Sequence, residues 1–204
     1  MEHFRAAYPG QLISKEDIFY YVYGLLHSPD YRERFADNLG KELPRIPCVE
    51  SFSDFSAFCK AGRLLAHLHL QYDTVAMYPA KVEGDDIHRP PRLSAADYRI
   101  EKMQYGKSTS GKDSSAVVVN HRFTVTGIPL EAYDYVVNGK PAIQWVIERQ
   151  GVKTDKDSGI INDANDWAVE TMKNPRYPLE LLLRVVTVSL ETMKTVKSLP
   201  KLSS

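Results

Sequence analysis

Between Thr74 and Ile128 the chain abandons the residue spacing that governs it on either side. Before Thr74 apolar residues recur at helical intervals, as in Phe55, Phe58, Leu65, Leu68 and Tyr72. Within the middle third, Thr74–Tyr78, Tyr98–Tyr105, Ala116–Val119 and Arg122–Ile128 are short and rich in β-branched or aromatic residues, as strands are. After Pro129 helical spacing returns. The pattern predicts an α+β fold, with helical N- and C-terminal parts around a small antiparallel sheet. The expected subregions are a helical part over 1–73, a sheet with a polar basic loop over 74–128, and a helical part over 129–204. Together they are expected to make one compact domain.

Local signals sharpen these elements. Ser14 followed by Glu16 and Asp17 opens a helix with acids in its first turn, where the helix dipole favours them. The run Asp17–His27 is apolar or aromatic almost all round, so it reads as buried, with Phe19 to Tyr23 as core. Pro29 starts a second helix, Asp30 to Leu39, that ends at Gly40. Pro44 and Pro47 force an extended segment between helices. Ser53 with Asp54 opens a third helix reaching about Tyr72. In the middle third lie Pro90-Pro91 and a long polar loop, Gly106 to Ser115, and Asn120-His121 turns one strand into the next. Pro129 to Val137 reads as a short helix closed by the Asn138-Gly139 turn. Further helices are expected over Ala142 to Gln150, Asp163 to Lys173 and Pro178 to about Leu199.

Composition excludes several classes. Lys and Arg number 26 and so do Asp and Glu, which excludes a histone-like binder acting through bulk charge. Two cysteines, Cys48 and Cys59, supply neither a disulfide framework nor a four-cysteine zinc site. No apolar run reaches membrane-spanning length, and the first residues do not form a signal peptide, so the cytoplasm is the expected location. His67 and His69 stand two apart on a predicted helix and point to different faces, which suits no shared metal. Gly106-Lys107-Ser108 lacks the upstream glycine of a phosphate-binding loop, because position 101 is Glu. Asp155-Lys-Asp157-Ser-Gly159 has its glycine one place early for a calcium loop and reads as an Asx-rich turn. Asn174-Pro-Arg-Tyr177 is close to the N-P-P-Y signature of DNA amino-methyltransferases but follows a helix, with no glycine-rich cofactor turn upstream. No Asp-x-Lys or Glu-x-Lys nuclease pair and no G-x-S-x-G occurs. The chain is therefore expected to carry no catalytic residue, no metal and no cofactor.

The balanced charge is unevenly distributed. From Arg89 to Arg122 there are seven bases, namely Arg89, Arg92, Arg99, Lys102, Lys107, Lys112 and Arg122, against three acids, Asp97, Glu101 and Asp113. Lys and Arg neutralise phosphates, while Asn and Arg can bond base edges bidentately. Arg99, Lys102, Lys107, Lys112, Asn120 and Arg122 are therefore the candidate DNA-binding residues. The alternative is a solvated sheet face whose edge lysines discourage strand pairing. Arg32, Arg34 and Arg45 form a second basic set, for which ion pairing with nearby acids is the simpler account.

Three early segments carry a family pattern: Glu16-Asp-Ile-Phe-Tyr-Tyr-Val-Tyr-Gly-Leu-Leu-His-Ser-Pro-Asp-Tyr-Arg32, Leu43-Pro-Arg-Ile-Pro47 and Phe58-Cys-Lys-Ala-Gly-Arg-Leu-Leu-Ala-His-Leu-His69. Later segments at Gly127–Tyr133, Val137–Ile143, Val152–Ile160, Asn162–Trp167 and Leu183–Ser189 continue it. The chain resembles the C-terminal target-recognition region of Type ISP restriction–modification enzymes over roughly Ile13 to Pro200. Members of that family join nuclease, helicase-like motor, adenine-N6 methyltransferase and recognition region in one polypeptide. The resemblance implies a domain that binds double-stranded DNA and positions it for methylation. Its implied partners are the methyltransferase and motor domains of that polypeptide. S-adenosylmethionine, ATP and magnesium would belong to those other parts. The competing expectation is a helical protein–protein module that docks on such a core and touches DNA little.

Overall fold

A computed structural model of the chain describes residues 2–87, 89–90, 92–109 and 111–202. Pro91 of the Pro90-Pro91 pair and Ser110 of the polar loop lie outside the described residues. The architecture is α+β, with helices at both ends and antiparallel strands between. Backbone contacts divide the chain into two compact units, residues 1–71 with 191–204, and residues 72–190.

The first unit is helical. It contains α1 (Glu2–Ala7), α2 (Lys15–His27), α3 (Pro29–Arg34), α4 (Ala36–Leu39) and α5 (Phe52–Leu70), with the end of α9 (Tyr177–Lys197). The Ser14 side chain caps α2 by accepting from the Asp17 amide, and Asp17 bonds back to the Ser14 amide. That reciprocal pair satisfies two donors a helix start leaves open. The expected second helix is broken at Phe35 into α3 and α4. The cap of α5 is Ser51, three residues before Asp54, rather than Ser53. Phe19 is 61 % exposed, so the aromatic run on α2 is core at Tyr21 but not all round.

The proline segment between α4 and α5 has no strand partner, and three tyrosines replace one. The hydroxyls of Tyr31, Tyr21 and Tyr8 donate to the carbonyls of Arg45, Pro47 and Val49, each at 2.6 Å. Alternate carbonyls of an extended chain face the same way, which is why the acceptors are two residues apart. Burial raises the Tyr8 hydroxyl to about 12 and pushes Tyr21 up as well, so both remain donors.

Helices α2 and α5 cross at Gly24 and Gly62. A Cβ on Gly62 would lie 1.8 Å from the Tyr20 carbonyl oxygen, and one on Gly24 would lie 2.4 Å from that of Phe58. Gly62→Ala must therefore push two backbones apart. The expected loss is about 1–3 kcal/mol, read as a lower urea midpoint.

A histidine pair sits in the same unit. His69 Nδ1 lies 2.8 Å from the Tyr23 hydroxyl and Nε2 lies 3.1 Å from Thr192 Oγ1, while His27 Nδ1 is 2.7 Å from the Tyr23 carbonyl. Burial, reinforced by neighbouring His27, lowers His69 to about 4, and burial lowers His27 as well. An unfolded histidine titrates near pH 6.5. Between these values the unfolded chain binds the proton and the folded chain does not. Stability is thus full above about pH 6.5 and falls as pH drops toward 4. Urea midpoints at pH 7 and pH 5 are expected to differ, and His69→Gln is expected to shrink the difference.

The second unit is built on a four-stranded antiparallel sheet in the order β1-β4-β3-β2, from β1 (Lys81–Glu83), β2 (Gln104–Ser108), β3 (Gly111–Val118) and β4 (Thr124–Thr126). The short helix α6 (Ala95–Tyr98) precedes β2. Val117 and Val125 are directly opposite and fully buried, whereas Val118 points outward, as period-two alternation requires. This face shares a core with Ile143 and Ile147 of α7 (Ala142–Arg149) and with Leu179, Leu182 and Val186 of α9. Two hairpins, β5 (Val136–Val137) with β6 (Lys140–Pro141), and β7 (Val152–Thr154) with β8 (Ile161–Asp163), and the helix α8 (Ala164–Glu170) complete the unit.

Several sequence expectations are corrected here. Thr74–Tyr78 forms no strand, because the Tyr78 amide bonds the Leu183 carbonyl of α9. Tyr98 ends a helix, and the strand begins only at Gln104. Gly106 to Ser115 is mostly β2 and β3, paired up to Ser108 opposite Gly111, instead of a long loop. Pro129 to Val137 holds a 3-10 turn, Leu130–Tyr133, and then β5, so Asn138-Gly139 closes a hairpin rather than a helix. Asn138 and Gly139 both have positive φ, as such a two-residue turn requires.

Candidate nucleic-acid interface

The β2–β3 hairpin is shaped by a bulge. Register shifts between Tyr105, opposite Val117, and Gly106, opposite Asp113, so Ser114, Ser115 and Ala116 are extra on β3. Gly106 allows this crowding, since a Cβ there would meet the Ala116 Cβ at 2.8 Å. The Asp113 carboxylate closes the bulge by accepting from the amide and hydroxyl of Ser115, and these bonds hold it well below the usual carboxylate range. Tyr133 donates to the Ser114 carbonyl at 2.8 Å. A bulge re-aims the strand beyond it.

Beyond the bulge, Lys107 and Lys112 are directly opposite one another, and both are exposed. Like charges facing each other destabilise an antiparallel pair. Lys112 is partly compensated, with its ammonium 3.6 Å from the centre of the Tyr105 ring. The Tyr105 hydroxyl is itself buried, with no hydrogen-bond partner among the described residues. Lys107 makes no ion pair with a described residue. The hairpin thus presents two cations, and Asp113, next in sequence to Lys112, is already bonded within the bulge.

The other candidates lie at the opposite end of the sheet, roughly 20 Å along β3. Arg99 bonds Glu101 and Asp163, both at 2.8 Å. Arg122 bonds Asp97 at 2.7 Å. Asn120 donates to the carbonyls of Asp97 and Arg99 and accepts from the amides of Arg122 and Phe123. Its amide is therefore committed to the β3–β4 turn. Lys102 is exposed on the rim of a cleft of about 480 Å³ lined also by Glu101, Glu148, Lys153 and Thr154. Sequence placed the six residues on one face, whereas the structure divides them into Lys107 and Lys112 at the hairpin tip and, at the base, Arg99, Asn120 and Arg122, which are bonded, with Lys102, which is exposed.

Sequence reasoning passed over one exposed feature, the β7–β8 hairpin. Its turn is Asx-rich, as expected: Asp155 Oδ1 accepts from the amides of Asp157 and Ser158 and from the Ser158 hydroxyl. Lys153 and Asn162 are directly opposite, and with Arg149, Gln150 and Trp167 they border a cleft of about 370 Å³. Alternation of Val152-Lys-Thr154 and Ile161-Asn-Asp163 around that turn was the available signal.

The remaining reactive groups are structural. Cys59 donates to the Asp17 carbonyl, and burial pushes its thiol up to about 12, outside the range of a reactive thiolate. Arg45 lies 3.7 Å from Glu42, and Arg32 bonds the Leu26 carbonyl. Among the described residues no cluster of three or more metal-ligating side chains occurs, and no helix is long and apolar enough to cross a membrane.

The chain holds a helical unit and a sheet unit, the latter carrying exposed basic hairpins. Residues 1–181 match the Type ISP C-terminal specificity domain, and the chain belongs to that family. Three solved structures are similar to it. One is a nuclease-deletion mutant of the Type ISP restriction–modification enzyme LlaGI in complex with a DNA substrate mimic, 40% identical, with TM-score 0.79 over 96% of this chain. Another is the ATP-dependent Type ISP enzyme LlaBIII bound to DNA, 35% identical, with TM-score 0.81 over 100%. The third is a DrdV–DNA complex, 32% identical, with TM-score 0.77 over 100%. The chain spans 15%, 12% and 20% of those three proteins. No curated protein matches it.

Proposed function

We propose that this chain is the DNA target-recognition domain of a large restriction–modification enzyme. It positions duplex DNA for an adenine-N6 methyltransferase, a motor and a nuclease carried elsewhere in the same polypeptide. The domain does no chemistry. S-adenosylmethionine, ATP and magnesium serve those other parts, in the cytoplasm. The observation that carries this reading is the pair Lys107 and Lys112, opposed across an exposed hairpin with no carboxylate among the described residues bonded to either. A phosphate between them removes the repulsion that the free protein bears. Membership of the specificity-domain family and the DNA-bound state of the three similar enzymes support it.

Neutral total charge and the exposed Leu12 and Leu43 of the helical unit, 99% and 90% accessible, favour a second role in docking to the rest of the enzyme. Titration of a fluorescent mixed-sequence duplex separates the two. A recognition domain binds it with an affinity that falls as salt rises. A pure docking module leaves the anisotropy unchanged even at low salt.

A further inference from the structure

The target-recognition reading leaves open which side chains read bases, and the fold narrows the choice. Bidentate reading of adenine needs a free carboxamide. In the sheet-bearing unit Asn120 and Asn165 each bond backbone groups of other segments, and Asn174 bonds the Arg176 amide and Glu180. Asn138 is held in a tight turn. Asn162 is exposed, and its carboxamide makes no hydrogen bond to a described residue.

Its setting suits a groove. Asn162 and Lys153 are Cα partners across β7–β8, so their side chains leave the same face of a two-stranded ribbon. Residues 153–162 are all exposed. The major groove, about 12 Å wide, admits such a ribbon. No described carboxylate forms an ion pair with Lys153: Asp155, which feels its charge, is held in the turn, Asp163 bonds Arg99 and Asn165, and Glu148 bonds Lys140 and Gln144. Trp167, 56% exposed, walls the same cleft with an apolar surface that can meet a thymine methyl. The base of the ribbon is fixed, because the Val152 amide bonds Glu101 and the Ala164 amide bonds Gly151.

We infer that β7–β8 is the base-reading ribbon of this domain, with Asn162 reading adenine and Lys153 reading guanine in the major groove. The inference rests on the target-recognition reading. It assigns phosphate contact and base reading to different hairpins, β2–β3 and β7–β8.

The test is selection from randomised duplexes by the full chain and by the variants Asn162→Ala, Lys153→Ala and Lys107→Ala/Lys112→Ala, with the retained sequences read out. Wild type is expected to enrich one motif. Asn162→Ala is expected to retain that motif with one adenine position relaxed about tenfold, and Lys153→Ala with one guanine position relaxed similarly. The double lysine variant is expected to keep the motif intact while binding more weakly. If the two ribbon variants enrich the unaltered wild-type motif, the ribbon assignment is wrong and the target-recognition reading stands. If wild type binds but enriches nothing, the target-recognition reading falls and the ribbon assignment falls with it.

Discussion

Replacing Lys107 and Lys112 together by Ala is expected to weaken duplex binding about tenfold or more at 0.1 M salt, with little change in stability. Both side chains are exposed, and neither holds a described carboxylate, so the folded chain loses only a mutual repulsion and one cation–π contact. Each lysine that neutralises a phosphate releases condensed counterions. The slope of log affinity against log salt should therefore become shallower by about 2, near 0.9 for each contact. Arg99→Ala and Arg122→Ala should change that slope less, because those guanidinium groups already bond Glu101, Asp163 and Asp97. An equal loss of slope from all four positions would place the DNA on the whole sheet face instead of the hairpin tip.

Arg176→Ala should cost about 3–5 kcal/mol of folding stability. The Arg176 side chain is 6% exposed and bonds Glu180 at 2.9 Å, Asp85 at 3.2 Å and the carbonyls of Ile87 and Arg89. Tyr98 donates to the same Asp85 carboxylate, and Arg184 lies 3.4 Å from Glu180. Removing the guanidinium leaves nearly buried Asp85 with the Tyr98 hydroxyl and Glu180 with Arg184 and Asn174, each short of a strong charge-assisted bond. Asp85, Ile87 and Arg89 would lose their anchor to Arg176, so the amides of Ile87 and Arg89 should exchange faster with solvent. Arg176→Lys keeps the charge but cannot reach four acceptors in one plane, and should fall between wild type and Ala. Denaturant titration measures this directly, and a loss below about 1 kcal/mol would show that the cluster is not a structural hub. The same geometry explains Asn174-Pro-Arg-Tyr177. Asn174 accepts from the Arg176 amide and donates to Glu180, so the tetrapeptide starts α9 and anchors its first turn.

The helical parts were legible where one residue dictates local geometry. Ser14 and Asp17 cap α2, Pro29 starts α3, and Pro44 with Pro47 holds an extended segment. The Ser51 cap was readable too, as the serine three places before Asp54. What the sequence hid was tertiary. Thr74–Tyr78 has strand composition, but its backbone meets a helix 100 residues away, so no ladder forms. Gly106 to Ser115 reads as a loop because its residues are glycine or polar and show no apolar alternation. The charge excess between Arg89 and Arg122 was visible. That Arg99 is bonded by Asp163, 64 residues on, was not. Asn120 has the bidentate carboxamide that reading a base needs, and the turn uses it for that reason.

The proposed role requires this chain to distinguish one DNA sequence from others. The most direct measurement is enrichment of randomised duplexes by the wild-type chain, followed by competition between the enriched duplex and a shuffled one of equal composition. The account predicts a single enriched motif, held against the shuffled competitor by a hundredfold or more, as the roughly 1–3 kcal/mol per base contact implies over a few positions. Equal binding to enriched and shuffled duplexes would contradict it, and would leave the hairpin lysines as a sequence-blind clamp.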